Sequence, residues 1–273
     1  MSGALRTLVG AAIATLLAGC AGQLPSLEGL ARIGQQALPI DPATEHEIGF
    51  GIAATVAGRY RLSTDAALTR YVNLVGLSVA QQSIRGGEVA FRFGVLDTDD
   101  VNAFTAPGGY VFVTHGALAR MQSEAELAGV LAHEVAHVDQ QHVLESIRRS
   151  AVFLQIRDEA QLQGSRLDSI AAFGTTALFT GLSRGDEMEA DSLGVLYAEA
   201  AGYRRDGLLQ FLRHLDAAEA AGSDGVQEWT STHPRTADRI QAVERQMARR
   251  VDAGGGEGTA RFRAAVPFAR SGG

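Results

Sequence analysis

The chain has 273 residues, of which 46% are hydrophobic and 20% are charged. This composition is typical of a globular protein and too apolar for a disordered one. The formal net charge of −7 predicts no basic surface of the kind that nucleic acid requires, so nucleic acid is not an expected partner. Because Cys20 is the one cysteine, no disulfide can form within the chain.

Residues 1–19 have the pattern of a bacterial export signal. Arg6 supplies a positive charge, and the apolar run 8–18 is shorter than the about 20 residues that span a bilayer. The run leads into Leu-Ala-Gly-Cys, ending at Cys20, which resembles the lipobox of bacterial lipoproteins. That resemblance implies a lipid on Cys20 and, because no aspartate follows, an outer-membrane lipoprotein facing the periplasm. An ordinary cleaved signal with an incidental cysteine is the alternative.

The next segments are a tether and the start of a domain. Residues 20–42, punctuated by proline and glycine, are interpreted as the lipidated cysteine and its tether, and residues 43–250 as the domain. Apolar residues at intervals of three or four predict helices from Thr44 and over 65–82. Alternation then predicts a strand over 89–95, and two more strands are expected around a Pro-Gly-Gly turn.

After Thr114 the sequence predicts an almost wholly helical chain. Ser123 followed by Glu126 is a capping-box signature, which opens a helix that runs past His137. The glycine-rich tail over 251–273 is predicted to be flexible. The expected architecture is α+β, a mostly helical body with a small β-sheet. Further helices are predicted at residues 145–160, 168–182, 184–201, 205–220 and 235–249.

His133 and His137 stand four residues apart in the predicted helix, with Glu134 beside the first of them. Positions four apart differ by only about 40° around a helix, so both imidazoles leave the same face. Two nitrogen ligands one turn apart suit tetrahedral zinc, which predicts one Zn²⁺ per chain. Glu134 is then the candidate general base for a water molecule at the metal. A chance occurrence of the five-residue pattern is the alternative.

A second acidic motif lies about 50 residues downstream, where Glu187 and Asp191 are four apart and share a helical face. Catalytic zinc needs a third protein ligand and one open position. Glu187 is the candidate for the third ligand. Asp191, one turn further on, would then accept a hydrogen bond from the second ring nitrogen of a ligand histidine. A solvated acidic helix start is the alternative, because Asp and Glu favour first turns.

Together the two motifs resemble the metallopeptidase family of the HtpX heat-shock protease, the CAAX prenyl proteases and the mitochondrial Oma proteases. The family's Ser-Arg-x-x-Glu-x-x-Ala-Asp pattern maps its third zinc ligand onto Glu187. Over roughly residues 44–249 the chain is most similar to the exported lipoprotein branch, which includes the β-barrel assembly-enhancing protease. The resemblance implies a zincin-like fold of the gluzincin type, with the sheet beside the histidine helix. It also implies a zinc endopeptidase that hydrolyses unfolded or misassembled envelope proteins.

A Thr-His-Pro segment at 232–234, followed by Arg239, also matches that branch. The family implies that His233 lies near the zinc, either as a switchable fourth ligand or as a donor to the tetrahedral intermediate. Arg239 would be a charge partner at the same place. The alternative is a simple helix start, because proline is favoured in a first turn.

The segment 102–113 matches the strand pair that borders the cleft in that branch. An exposed edge there predicts that Gly109, Tyr110 and Val111 pair with an extended peptide substrate. The alternative is a hairpin that only packs the core. The segment 155–168 is a candidate for a loop over the cleft. Four other histidines are interpreted as ordinary side chains: His46, His115, His142 and His214.

Two functions remain open at this point. The first is an envelope endopeptidase for protein quality control, whose partners are protein or peptide substrates and, through its lipid, the membrane. The second is a chaperone-like outer-membrane assembly factor, in which His233 occupies the fourth zinc position and keeps the protease site latent. Outer-membrane assembly machinery is a further expected partner. The chain ends without the helical repeat domain of its exported relatives, which favours the compact protease.

Overall fold

The coordinates are a computed structural model. The predicted signal peptide, Cys20, most of the predicted tether and residues 150–164 lie outside the part of the chain that it describes, so predictions there stay predictions. Among the helices that it describes, none is long and apolar enough to cross a membrane. The described residues are 40–149, 165–223, 225–233, 236–249 and 254–269.

A three-stranded mixed sheet has the order β1-β3-β2. Strand β1 (Arg92–Leu96) runs parallel to β3 (Tyr110–Thr114), and β2 (Ala103–Ala106) runs antiparallel to it. Between β2 and β3 the chain turns through a short 3₁₀ segment, in which Gly108 and Gly109 have φ of 72° and 87°. Glycine adopts such positive φ without strain, so the Pro-Gly-Gly sequence explains the tight reversal.

This strand order overturns one prediction about the substrate. Because β3 is the central strand, Tyr110 lies opposite Arg92 on one side and Ala106 on the other. A strand with both edges paired has no main-chain groups left for a peptide. Gly109 lies in the buried 3₁₀ turn rather than on an edge. The predicted main-chain pairing of a substrate with Gly109, Tyr110 and Val111 is therefore wrong.

Helices make up most of the described chain, and the prediction of an α+β fold is confirmed. Helix boundaries differ from the predicted ones by a few residues at most elements, and three short helices, α3, α9 and α11, were not predicted separately. The helices are α1 (Pro42–Tyr60), α2 (Ala66–Ala80), α3 (His115–Arg120), α4 (Glu124–Asp139), α5 (His142–Arg148), α6 (Ser165–Thr180), α7 (Arg184–Ala200), α8 (Gly207–Ala220), α9 (Val226–Thr232), α10 (Thr236–Ala248) and α11 (Thr259–Ala265).

Side-chain caps fix the starts of the two helices that carry the metal motifs. At α4 the Ser123 hydroxyl accepts the Glu126 N–H at 3.3 Å, but the Glu126 carboxylate accepts the N–H of Gln122 at 3.2 Å. At α7 a complete capping box joins Ser183 and Asp186. These bonds satisfy main-chain donors that a helix start leaves unpaired, so both helices begin where the sequence predicts.

Helix α4 lies at the centre of the fold, and every one of its residues is buried. Two glycines allow neighbouring helices to approach its backbone closely. A Cβ at Gly194 of α7 would lie 2.9 Å from the main-chain nitrogen of His133. A Cβ at Gly129 of α4 would lie 2.4 Å from the nitrogen of Leu208 in α8. Close contact of α7 with α4 brings the acidic motif of α7 against the histidines.

The C-terminal segment differs from the prediction of a flexible tail. Residues 254–269 include α11, whose Phe262 is fully buried; Val266, the residue after the helix, is nearly so. The Arg261 guanidinium donates to the Glu124 carboxylate at the start of α4, at 2.6 and 3.0 Å. Two apolar side chains four residues apart thus dock a segment whose glycine content indicated mobility. The predicted flexibility is wrong for these residues.

Replacing Phe262 with alanine is expected to lower the free energy of unfolding by about 3–5 kcal/mol, because it opens a cavity in the core. Urea denaturation followed by circular dichroism measures the change. Phe268→Ala is the matched control: this ring is 45% exposed, so its loss should cost less than about 1 kcal/mol. Equal, small losses in both variants would show that α11 does not pack in solution.

Candidate metal centre

Four buried side chains converge at the centre of the fold. One donor atom from each of His133, His137, Glu187 and His233 can be chosen so that all lie within 4.8 Å of one another. The Nε2 atoms of His133 and His137 are 3.0 Å apart. Glu187 Oε2 is 3.6 Å from His133 Nε2, and its Oε1 is 3.4 Å from His137 Nε2. The structure therefore brings the three predicted ligands together.

These separations fit a metal ion of the predicted kind. Nitrogen and oxygen ligands bind zinc at about 2.0–2.2 Å, which places neighbouring donors of a tetrahedral site about 3.3 Å apart. The separations among His133, His137 and Glu187 lie between 3.0 and 3.6 Å. Imidazole nitrogens and a carboxylate are also the donors that catalytic zinc takes. The donor set and its spacing therefore suit a zinc-like divalent ion.

Arg239 and Asp191 support this cluster from behind. Asp191 Oδ1 lies 2.9 Å from His133 Nδ1, the ring nitrogen that faces away from the cluster. The Arg239 guanidinium, 1% exposed, donates to both Asp191 oxygens at 2.7 and 2.8 Å. Its Nη1 is 3.0 Å from Glu187 Oε2. One buried arginine therefore pairs with Glu187 and Asp191, the two buried carboxylates of α7, and holds them towards the histidines.

Charge keeps the two carboxylates ionised despite their burial. Burial alone would raise the pKa of Glu187, but the positive charges of His233 and Arg239 outweigh it and lower that pKa well below its usual value. For Asp191, burial is likewise outweighed by Arg239 and by the nearby His133 ring, and the pKa falls to about 2. At neutral pH both acids therefore present negative charge.

The histidines of the cluster are shifted in opposite directions. Burial, His137 and Arg239 lower the pKa of His133, which favours the neutral ring that binds a metal. Burial also acts to lower the pKa of His233, but the charge of Glu187 outweighs it, and the net shift is upward. His233 Nδ1 is 3.1 Å from Glu187 Oε2. In the metal-free chain His233 is therefore a charge partner of Glu187.

Glu134 has one carboxylate oxygen fixed and one free. The Thr105 hydroxyl on β2 donates to Glu134 Oε2 at 2.5 Å. The other oxygen, Oε1, is buried and has no hydrogen-bond partner among the described residues. His233 Nε2 is 3.8 Å from Oε1. An unpaired buried oxygen beside this cluster is unusual, because buried polar groups are normally paired, and it is available to accept a proton.

The outer edge of β2 runs past the cluster. His233 Nε2 donates to the Ala103 carbonyl at 3.3 Å, so Ala103 faces away from β3. In an antiparallel pair every second residue directs its main-chain groups away from its partner, which gives Thr105 the same orientation. The strand next to the cluster is therefore β2, not β3, and its outer edge is directed towards the candidate metal site.

His233 is held by the end of α9. Its ring stacks on fully buried Trp229, with centroids 4.4 Å apart and an angle of 29° between the planes. The Thr232 hydroxyl donates to the Asn102 side chain at 3.0 Å, which ties the same turn to the start of β2. His233 is the residue that caps the C-terminus of α9, so its position follows from the preceding helix.

His142 was interpreted as an ordinary histidine and not a ligand; it is not a member of the four-residue cluster, but it contacts one of its members. Its Nδ1 lies 2.8 Å from His137 Nδ1, in a buried contact. Gln141 between the helices has φ of 55° and ψ of 29°, a left-handed conformation that turns the chain back on itself. Sequence spacing gave no signal for this reversal. The other three histidines contact groups outside the cluster: His46 near Tyr110, His115 near Asp97 and His214 near Glu126.

A histidine pair with an adjacent glutamate, on a helix beside a small sheet, defines a zincin-like fold with a peptidase site. The chain belongs to peptidase family M48, whose sequence profile matches residues 66–247. That range contains all four members of the cluster, and the family resemblance inferred from the motifs is confirmed.

Relatives of this chain include proteins that are named as proteases or metalloendopeptidases. A Vibrio cholerae protein named putative beta-barrel assembly-enhancing protease is 33% identical over 192 residues, 64% of this chain and 38% of that protein. The Escherichia coli beta-barrel assembly-enhancing protease is 29% identical over 208 residues, 72% and 42% respectively. Mitochondrial metalloendopeptidase OMA1 of Schizosaccharomyces pombe is 33% identical over 161 residues, 58% and 47%. The match thus spans less than half the length of these relatives.

Proposed function

We propose that the chain is a zinc-dependent metalloendopeptidase of the bacterial cell envelope, with one Zn²⁺ held by His133, His137 and Glu187. The observation that carries the proposal is their convergence at tetrahedral spacing next to the free Oε1 of Glu134. Membership of a peptidase family supports peptide bonds as the substrate. In a metallopeptidase the bound metal polarises the scissile carbonyl and lowers the pKa of a water molecule to about 7.

Glu134 is the proposed general base and then the general acid. Its Oε1 accepts a proton from the attacking water, while the Thr105 hydroxyl keeps Oε2 in place. The same oxygen then passes the proton to the leaving nitrogen of the peptide. Because Oε2 is fixed and Oε1 is free, one defined atom carries both transfers. This division of work between two oxygens follows from their different contacts.

The outer edge of β2, which is buried, is the proposed substrate-binding strand. An extended peptide that pairs there would lie beside the candidate ligands, and at Ala103 it would replace His233 on the carbonyl and the Asn102 side chain on the N–H. Main-chain pairing makes little demand on side chains, so it suits unfolded substrates of varied sequence. In this arrangement His233 can donate to the developing oxyanion, while Arg239 holds the two α7 carboxylates.

The proposed substrates are unfolded or misassembled envelope proteins. Two features support this: the lipobox-like sequence at Cys20, and relatives named beta-barrel assembly-enhancing protease in Vibrio cholerae and Escherichia coli. A lipid on Cys20 would anchor the chain to the outer membrane, facing the periplasm. Outer-membrane assembly machinery is then a proposed partner.

One observation favours a second candidate, a chaperone-like assembly factor with a latent protease site. His233 lies close enough to the other three ligands to complete a four-ligand set. A fourth protein ligand would exclude water, as in structural zinc sites. Under this alternative the chain acts mainly by binding partners until His233 moves away.

Zinc removal tests the proposed function. The purified chain should contain about one zinc per molecule and hydrolyse casein, a chelator should abolish hydrolysis, and added Zn²⁺ should restore it. His233→Ala separates the two candidates. Faster hydrolysis in that variant supports a latent site that His233 blocks, whereas slower hydrolysis with zinc retained supports its role as an oxyanion donor. A chain that binds no zinc and cleaves no casein would refute both.

A further inference from the structure

The contact between His137 and His142 is a short one between two buried rings. Their Nδ1 atoms are 2.8 Å apart, the rings are 4.9 Å apart at nearly right angles, and His142 is 4% exposed. His137 presents its other nitrogen, Nε2, to His133 and Glu187. His142 therefore lies on the outer side of a candidate ligand, in the position where a supporting group would be needed.

The direction of this hydrogen bond follows from the chemistry of imidazole. If Nε2 of His137 is the metal-binding atom, as the proposed function requires, the ring proton of neutral His137 is on Nδ1. That N–H must then donate, and Nδ1 of His142 must accept. The proton of neutral His142 is left on its Nε2, which lies 3.5 Å from Glu189 Oε2 and 4.0 Å from Asp186 Oδ1. His142 thus lies between the candidate ligand His137 and the acidic start of α7.

We infer that His142 is a positioning residue for the metal centre. Its Nδ1 accepts a hydrogen bond from the Nδ1–H of His137 and so fixes the tautomer and ring orientation of that candidate ligand. The inference rests on the proposed function, because it assigns a role towards the metal. His133 has an equivalent support in Asp191, whose Oδ1 is 2.9 Å from its Nδ1. Each helical ligand would then have its own acceptor, a carboxylate for one and a neutral imidazole for the other.

The two supports differ in how the fold supplies them. Asp191 comes from α7, the helix that also provides Glu187, whereas His142 begins α5 directly after the ligand helix. The left-handed Gln141 allows α5 to reverse and return the His142 ring to His137. A non-glycine residue in this conformation costs energy, so a local function is a natural explanation for it.

Zinc affinity of the purified full chain is the test, measured by competition with a chelator of known affinity in the Glu134→Gln background so that self-cleavage cannot interfere. His142→Leu removes the acceptor and should weaken zinc binding about 10–100-fold, the usual effect of losing a supporting group. His142→Asn can place its amide oxygen where Nδ1 was, and should bind zinc within about 3-fold of the parent chain. A purely structural histidine would not show this rescue.

The visible absorption of bound Co²⁺ provides a second readout, because its bands report the ligand geometry and not the activity. The leucine variant should show altered bands, and the asparagine variant the parent spectrum. If His142→Leu does not fold, His142→Gln replaces it, since its longer side chain carries the amide past the Nδ1 position. Parent-like zinc affinity in the leucine or glutamine variant would overturn the inference, and so would an asparagine variant as weak as either. Zinc binding absent from the parent chain would instead refute the proposed function.

Discussion

Glu134→Gln is expected to lower the kcat/KM for casein hydrolysis by at least about 10²–10⁴-fold while the zinc content stays at one per chain. The amide cannot accept a proton at the position of Oε1, which is the oxygen that the structure leaves unpaired. It can still accept the Thr105 hydroxyl bond at the other position, so the helix and the ligands should not move. Hydrolysis assays and metal analysis of the same preparation measure both quantities.

Glu126→Gln is the matched control for this change. It is the same substitution in the same helix, at a residue that is 3% exposed and contacts Ser123 and His214 instead of the ligands. Its activity per zinc-loaded molecule should equal that of the parent chain. Undiminished hydrolysis in Glu134→Gln would remove this carboxylate from the mechanism. Loss of zinc in the same variant would show that Glu134 supports the ligands instead of handling a proton.

The sequence was sufficient to predict the parts of the site that depend on helical spacing. His133 and His137 share a face because they are four apart, and the same holds for Glu187 and Asp191. Whether the two faces meet depends on helix packing. That contact requires Gly194, where a side chain would clash with the backbone of the histidine helix, and a sequence pattern does not identify which helix faces a given glycine.

Long-range contacts account for most of what the sequence did not predict. Strands β1 and β3 pair in parallel although β2 lies between them in sequence, so β3 is the central strand and β2 is an edge strand. His142 was missed because its return to His137 depends on the left-handed φ of Gln141, a residue with no sequence preference for that turn. In the tail, the spacing of Phe262 and Val266 was the available evidence for a packed segment, but the glycine content favoured a flexible one.

Arg239→Met is expected to lower the free energy of unfolding of the metal-free chain by about 3–5 kcal/mol, a large fraction of the stability of an ordinary domain. The change removes the guanidinium that donates to both Asp191 oxygens and lies 3.0 Å from Glu187. Asp191 would then remain buried without its cationic partner, and Glu187 would keep only His233, at 1% exposure for each carboxylate. Urea denaturation in the presence of a chelator measures the loss.

The exposed pair Arg213–Glu244 provides the control, because it joins α8 to α10 at 2.7 Å with both side chains nearly half exposed. Arg213→Met should cost less than about 1 kcal/mol, since water compensates an exposed charge. Combining Arg239→Met with Asp191→Leu should cost less than the sum of the single changes, because the arginine and the acid are each most destabilising when left alone. A loss from Arg239→Met as small as that from Arg213→Met would mean that the two buried carboxylates do not depend on Arg239. A strong dependence would instead show that the contact of α10 with α7, through Arg239, is what allows the candidate ligand Glu187 to carry its charge so close to the histidines.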